Sequence, residues 1–216
     1  MARNSAPRAA AKPPIGGSPR FLLIAALLAG LVILGTGGFL ALALRDNPRG
    51  VAGTALSSAI GGPFRLIDQN GRTVTDADLK GRWSLVYFGY THCPDACPTA
   101  LNDISIALDQ LGPKRDAVRP VFITVDPERD TPGALKEYVT AFDAPILALT
   151  GTSEEVAQAA KGYRVYFAKH PEANGGYSMD HSSVIYVMDP QGRFTASFTH
   201  ESTPEQISER LKKLIG

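Results

Sequence analysis

The sequence predicts an α/β domain with a central mixed β-sheet. Short apolar runs typical of buried strands alternate with amphipathic segments typical of helices, and turn residues separate them. Two further strand-like runs form a hairpin before the last helix. The 216 residues, of which 44% are hydrophobic and 20% charged, suffice for one domain of ordinary size with additional segments.

The predicted strands are short and mostly apolar. Asn70-Gly71 is a strong hairpin signal between the first two strands, and residues 189–192 form the turn between the last two. The runs in the middle of the chain have the continuous apolar character of strands buried on both faces. The predicted strands occupy residues 64–67, 73–74, 84–88, 118–125, 146–149, 183–188 and 193–198.

Four helices are predicted between or after these strands. The first follows a loop at residues 89–98 and stops at Gly112-Pro113, and the second runs from Thr131 through Phe142. Capping residues open the third at Thr152, and Thr203-Pro204-Glu205 starts the fourth. The order of a strand, a cysteine-containing loop, a helix, a strand, a helix and a closing hairpin with its helix is the thioredoxin-like arrangement.

The first 62 residues differ in character from the rest of the chain. Residues 1–20 contain four basic side chains and no acid, and residues 21–44 contain no charge. At ~1.5 Å per residue, roughly 20 helical residues cross a ~30 Å bilayer core. We therefore expect a basic cytoplasmic or matrix tail (1–20), one transmembrane helix (21–44), a flexible linker (45–62) and the folded domain (63–216).

Two other interpretations of this segment remain open. One is a cleaved signal peptide with Ala41-Leu42-Ala43 as the cleavage site, although its apolar run is longer than the usual signal core. The other is a mitochondrial presequence. All three interpretations place the domain outside the reducing cytosol. The formal net charge of +1 indicates no nucleic-acid partner.

The only two cysteines, Cys93 and Cys97, lie four positions apart at the entrance to a helix. Residues i and i+4 share one helical face, so the two sulfurs can converge. A helix N-terminus favours the thiolate form, and paired thiolates suit Cu(I). A structural disulfide and a redox dithiol are the alternatives, although the usual redox spacing is Cys-x-x-Cys.

Among the four histidines, His181 is the candidate third ligand. It directly precedes a late predicted strand, from which it can face the cysteine loop, and an added imidazole would allow Cu(II) as well as Cu(I). His92 adjoins Cys93 but is interpreted as solvated. Nothing in the sequence favours His170 or His200. Met179 is expected to pack in the core.

Three segments resemble the Sco/SenC family. They are Tyr87-Phe88-Gly89-Tyr90-Thr91-His92-Cys93-Pro94-Asp95-Ala96-Cys97-Pro98, Thr124-Val125-Asp126-Pro127-Glu128-Arg129-Asp130-Thr131-Pro132 and Asp180-His181-Ser182. The resemblance covers residues 63–216 and implies that Cys93 and Cys97 are thiolate ligands of copper and His181 the imidazole ligand. Ala96, where the family commonly has a larger aliphatic residue, is the one difference. From residue types alone, Asp126 and Asp130 are interpreted as parts of a turn and a helix cap.

The resemblance also implies a function. It indicates a metallochaperone that binds Cu(I) and Cu(II) and delivers copper to the binuclear copper centre of cytochrome c oxidase, with the copper-bearing subunit as partner and an upstream copper chaperone as donor. The alternative is a thiol–disulfide reductase that keeps the acceptor cysteines reduced. A thioredoxin-superfamily peroxidase is less favoured because no arginine lies near Cys93 in the sequence. The expected location is the bacterial inner membrane with a periplasmic domain, or the mitochondrial inner membrane facing the intermembrane space.

Overall fold

A seven-stranded mixed sheet is the centre of the computed structural model, which describes residues 60–173 and 175–216. The strands are β1 (Arg65–Asp68), β2 (Thr73–Thr75), β3 (Trp83–Gly89), β4 (Val118–Thr124), β5 (Leu147–Thr150), β6 (Phe167–Pro171), β7 (Tyr177–His181), β8 (Val184–Met188) and β9 (Phe194–Thr199). The strand order in the main sheet is β2-β1-β5-β4-β3-β8-β9, and β6 and β7 form a separate two-stranded sheet.

In the described part of the chain, four α-helices accompany these strands. They are α1 (Ala96–Asp109), α2 (Pro132–Val139), α3 (Ser153–Tyr163) and α4 (Pro204–Ile215). Thr131, Thr152 and Thr203 cap α2, α3 and α4 by accepting a backbone hydrogen bond, and the cap at Thr152 is as predicted. Two short 3₁₀ helices, Asp76–Leu79 and Gly112–Ala117, connect elements. The predicted mixed α/β, thioredoxin-like fold is confirmed.

The three parallel strands β3, β4 and β5 determine where the loops lie. Because these strands run side by side in one direction, the residues that follow β3 and β4 meet at the same edge of the sheet. Tyr87 of β3 stacks on Phe122 of β4, which contacts Tyr138 of α2 on one face. Phe88 contacts Tyr163 of α3 on the opposite face. Helices therefore cover both faces and bury the apolar strands.

The two outer hairpins of the sheet share one turn design. Asp68 accepts hydrogen bonds from the backbone and guanidinium of Arg72, and Asp189 does the same with Arg193. The glycine before each arginine, Gly71 or Gly192, has a φ of 81° or 79°, which glycine adopts without steric cost. Both predicted turns are therefore present.

The β6–β7 hairpin was not predicted. Its residues are largely exposed or half-buried, and the segment includes Lys169, His170 and Pro171, which interrupt any apolar pattern. Its strands pair with each other and do not extend the main sheet. Two helix boundaries also differ from the prediction. The helix α2 ends at Val139 and not at Phe142, and α1 begins at Ala96, inside the segment predicted as a loop.

The predicted tail, the predicted transmembrane helix and residues 45–59 of the predicted linker lie outside the described residues. Within residues 60–173 and 175–216, no helix combines the length and apolar character needed to cross a bilayer.

Candidate metal centre

The two cysteines lie at the edge of the sheet that follows β3. Cys93 closes a turn by donating its backbone N–H to the carbonyl of Tyr90 at 3.2 Å. Cys97 is in the first turn of α1, and its backbone N–H donates to Cys93 Sγ at 3.4 Å. Asp95, the residue that precedes α1, makes no side-chain cap, so the sulfur takes a position that a capping oxygen often occupies. Both cysteines are free thiols in this structure.

His181, the last residue of β7, completes the group. Its Nε2 lies 3.4 Å from Cys97 Sγ. The potential ligand atoms of Cys93, Cys97 and His181 all lie within 4.8 Å of one another. His181 Nδ1 lies 3.3 Å from the carbonyl oxygen of Ser182. Binding of a metal ion through Nε2 requires the ring proton on Nδ1, and this carbonyl oxygen is placed to accept it.

Gly89 makes room for the buried sulfur. A Cβ atom at this position would lie 2.7 Å from Cys97 Sγ and 2.9 Å from the ring of Phe122. Both distances are far inside normal van der Waals separation. The last residue of β3 is therefore a glycine for steric reasons, because any side chain there would occupy the space that the sulfur needs.

Two tyrosines enclose the imidazole. The rings of Tyr87 and Tyr90 meet the His181 ring edge-on, with centroids at 6.0 and 5.9 Å. The Tyr87 hydroxyl also donates to Cys97 Sγ at 3.9 Å, and burial raises the pKa of Tyr87, so it stays a donor. Neither tyrosine was predicted to have a role at the site. The available signal was two aromatic residues at the end of a strand that leads into a cysteine loop.

The two thiols have opposite acidities. The hydrogen bond from the Cys97 thiol lowers the pKa of Cys93 to about 4 against the opposing effect of burial, helped by His181 and by the backbone N–H groups of Cys97 and Asp95. The pKa of Cys97 is raised, first by the hydrogen bond to Cys93 and then by burial. The reduced pair therefore holds one proton, on Cys97, and one thiolate, on Cys93.

A buried carboxylate fixes the cysteine loop. Asp130 is 0% exposed and accepts hydrogen bonds from the backbone N–H of Thr91 at 3.0 Å, from its hydroxyl at 2.6 Å and from the hydroxyl of Thr124 at 2.6 Å. From residue types alone, Asp130 was predicted to belong to a turn and a helix cap. The helix cap is instead Thr131, and Asp130 joins the cysteine loop to the end of β4.

A second group of side chains holds the hairpin that carries His181. We call Asp126, Arg129 and Tyr177 the Arg129 cluster. The Tyr177 hydroxyl donates to Asp126 Oδ1 at 2.8 Å, and Arg129 Nη1 donates to the Tyr177 carbonyl at 3.0 Å. The Arg129 guanidinium lies 3.7 Å from the Tyr177 ring centroid and forms an ion pair with Asp126. This cluster connects the loop after β4 to the start of β7.

The sequence profile of the SCO1/SenC family matches residues 52–216. The chain belongs to the SCO1/SenC family. It is 37% identical over 199 residues to a SCO2-like protein of Rickettsia felis, covering 89% of this chain and 95% of that protein. It is 39% identical over 175 residues to the mitochondrial SCO1 homolog 1 of Arabidopsis thaliana, covering 81% of this chain but only 51% of that longer protein.

Solved structures of SCO1/SenC proteins are similar to this one. The structure of Bradyrhizobium japonicum ScoI with copper bound is 50% identical, covers 72% of this chain and 99% of its own, and superposes with a TM-score of 0.68. BsSco, described as a member of the Sco family of cytochrome c oxidase assembly proteins, is 27% identical, covers 72% of this chain and 92% of its own, and has a TM-score of 0.58. The predicted family membership is confirmed.

The other candidate ligands of this SCO1/SenC domain lie apart from the centre. In the described part of the chain, Cys93, Cys97 and His181 are the one group of three potential metal ligands that converge. The side chain of His92 is 56% exposed and bonds to the hydroxyl of Thr91, and His170 pairs with Asp180 at 2.9 Å. Met179 is buried in the core, as expected.

The donor set suits a soft metal ion. Two sulfurs and one imidazole nitrogen match the ligand preference of copper, whereas structural zinc sites usually hold four protein ligands. The structure brings the three predicted ligands together, and their assignment as copper ligands stays a prediction.

Proposed function

We propose that this protein is a copper metallochaperone that delivers copper to the binuclear copper centre of cytochrome c oxidase during its assembly. The convergence of Cys93, Cys97 and His181 within 4.8 Å is the observation on which the proposal depends. Copper bound to the 50% identical ScoI of Bradyrhizobium japonicum and the oxidase-assembly description of the BsSco family support it.

The chemistry of loading follows from the acidities of the two thiols. The Cys93 thiolate is the first soft donor available to an incoming Cu(I) ion. Cys97 becomes a second thiolate when it releases its proton, so uptake of copper at neutral pH releases about one proton. His181 Nε2 supplies a nitrogen donor, which Cu(II) needs more than Cu(I) does. Transfer then requires ligand exchange only, and we propose no turnover reaction.

The sequence of the first 62 residues supports a proposed topology. Residues 21–44 would anchor the chain in a membrane by one helix, with the basic tail on the cytoplasmic or matrix side. The domain would then face the bacterial periplasm or the mitochondrial intermembrane space. Its proposed partners are an upstream copper chaperone and the copper-bearing oxidase subunit.

Copper binding by the full chain in detergent is the first test. We expect about one copper per reduced wild-type chain and a visible thiolate-to-Cu(II) absorption band. Cys93→Ser and His181→Ala should weaken or abolish the band, whereas His200→Ala, at an exposed position outside the converging group, should leave it unchanged. Binding by His181→Ala with wild-type affinity and spectrum would refute the three-ligand site.

A transfer assay separates the chaperone from the reductase hypothesis. The copper-loaded chain is mixed with the reduced, copper-free subunit of the oxidase, and copper in each protein is measured after separation. We expect copper to move to the subunit. If the wild type binds no copper but reduces a disulfide in the oxidised subunit, the thiol–disulfide reductase hypothesis replaces this proposal.

A further inference from the structure

A large cavity lies at the end of the sheet opposite the candidate metal centre. Its volume is about 640 Å³, within the usual range for small-molecule sites. Its lining includes Arg82, which directly precedes β3, Arg119 near the start of β4, and Leu147, the first residue of β5. The cysteines follow the other end of β3, so the strands separate the two sites.

Two arginines of this cavity have no carboxylate ion-pair partner in the described part of the chain. Arg82 Nη1 donates to the backbone carbonyl of Asp116 at 3.4 Å, and Arg119 Nη1 donates to that of Asp78 at 2.6 Å. By contrast, Arg72, which lines the same cavity, is paired with Asp68 at 2.8 Å. Each of the two unpaired guanidinium groups therefore retains N–H donors and a full positive charge.

The two unpaired charges repel each other. Burial lowers the pKa of Arg119, Arg82 lowers it further, and Asp78 partly offsets the effect. The Asp78 carboxylate is itself occupied by the backbone N–H and hydroxyl of Thr75, both at 2.7 Å. In the described part of the chain, no carboxylate fully compensates the repulsion between the two guanidinium groups. An anion bound between them would relieve it.

The rest of the cavity wall indicates the size of the ligand. Apolar side chains form part of the lining, and the volume exceeds what a single inorganic anion fills. They are Val74, Val139, Ala144, Pro145, Ile146 and Leu147. An anionic head with a carbon-containing portion matches this combination of charge and apolar surface.

We propose that this cavity binds a phosphate monoester or diester, with Arg82 and Arg119 holding the phosphate oxygens. Guanidinium groups recognise phosphate through paired N–H donors, and a partly buried site strengthens these charge-assisted bonds. The phosphate can come from a dissolved organic phosphate or from a phospholipid headgroup. The two sources share the same chemistry and are separated by experiment.

Phosphate binding by the full chain is the test. Titration with glycerol 1-phosphate in an uncharged detergent, followed by calorimetry, measures the dissolved source. For the lipid source, the full chain in nanodiscs is mixed with short-chain phosphatidylglycerol or, for comparison, with short-chain phosphatidylcholine. The amount of each lipid that cosediments with the protein is then measured. We expect saturable binding to at least one probe, weakened at least tenfold by Arg82→Gln/Arg119→Gln and reduced at high salt.

Matched controls keep the result interpretable. Arg210→Gln/Lys213→Gln removes the same charge at two exposed positions of α4 that do not line the cavity, and it should bind like the wild type. Copper stoichiometry reports the fold of each variant, and Arg82→Gln alone, at an exposed position, serves if the double variant does not fold. Equal binding by the wild type and the folded cavity variants, or binding of neither probe by the wild type, would overturn the proposal. Binding of glycerol 1-phosphate would identify a dissolved organic phosphate as the ligand. Binding of phosphatidylglycerol alone would identify a phospholipid headgroup as the ligand.

Discussion

The cysteine loop and the β6–β7 hairpin contribute to one site but are held in different ways. The loop continues from a central strand into α1, and its position depends on the fully buried Asp130. The hairpin forms its own two-stranded sheet and is joined to the body through the buried Met179, the Arg129 cluster and an exposed Lys169–Glu128 pair at 2.6 Å. The position of the thiols therefore depends on one fully buried carboxylate, whereas the position of the imidazole depends on several contacts of different burial, so the two halves should respond differently to mutation.

Asp130→Ala should have the largest effect, on stability and on both thiols. Three donors lose their only charged acceptor, and each unsatisfied buried group costs about 1–3 kcal/mol, so we expect a loss of roughly 3–5 kcal/mol. Denaturant unfolding of the metal-free chain measures it. Asp95→Ala, at an exposed position of the same loop, is the control and should change stability little. A loss of under about 1 kcal/mol for Asp130→Ala would contradict the role of the core in fixing the loop.

Gly89→Ala should specifically disturb the buried sulfur. Its methyl group would overlap Cys97 Sγ, and overpacking of this kind costs about 1–3 kcal/mol. We expect weaker copper binding and an altered thiolate absorption band, even though no ligand changes. Gly133→Ala in α2, where the nearest atom to an added Cβ is 3.9 Å away, should be neutral. An unchanged spectrum in Gly89→Ala would show that the sulfur can move without consequence.

Arg129→Ala should act on the hairpin more than on the cysteine loop, because the guanidinium lies 3.7 Å from the Tyr177 ring centroid but 5.8 Å from that of Tyr90. Loss of the stacking contact and of the hydrogen bond to Tyr177 should weaken copper binding about tenfold, equivalent to about 1.4 kcal/mol. Hydrogen exchange should increase in β6 and β7 and stay unchanged in α1. Arg65→Ala, which breaks an ion pair with Glu155 away from the hairpin, controls for the loss of charge. Increased exchange throughout the domain would mean that the two regions are not independent.

Tyr177→Phe should have the smallest effect. It removes only the hydroxyl that donates to Asp126 and keeps the ring against Arg129. A single hydrogen bond contributes about 0.5–1.5 kcal/mol, so copper affinity should fall less than in Arg129→Ala. Tyr166→Phe, at a side chain 62% exposed, is the matched control. If copper affinity fell more in Tyr177→Phe than in Arg129→Ala, the hydrogen bond to Asp126, and not the guanidinium contact, would be the main interaction that holds the hairpin.

The elements predicted from the sequence are those that a pattern within a few consecutive residues specifies. The buried strands β3 and β4 are continuous apolar runs, and threonine caps mark three of the four helices. The β6–β7 hairpin has no such pattern, because its stability comes from pairing and from the Arg129 cluster. The contact between Thr91 and Asp130 spans 39 positions, so no local pattern could indicate it.

The candidate site likewise has parts that neighbouring residues in the sequence predict and parts that only the three-dimensional structure reveals. The four-residue spacing of the cysteines at a helix start predicts that their sulfurs converge, and the structure agrees. His181 is 84 positions from Cys97. Its position before a strand made it only a candidate ligand, and the family resemblance was needed to predict that it is one. The two enclosing tyrosines and the space at Gly89 depend on how strands and hairpin meet in three dimensions.

The unequal exposure of the two sulfurs would give the proposed copper delivery a direction. Cys97 is 0% exposed, whereas Cys93 and His181 are partly exposed. In the described part of the chain the accessible side of the site is therefore that of Cys93 and His181, and an incoming thiolate from an acceptor would approach a copper ion from there. The bonds to these two residues would break first, and the bond to Cys97 would break last, after the acceptor has already secured the ion. Copper would then never be released free into solution between the two proteins.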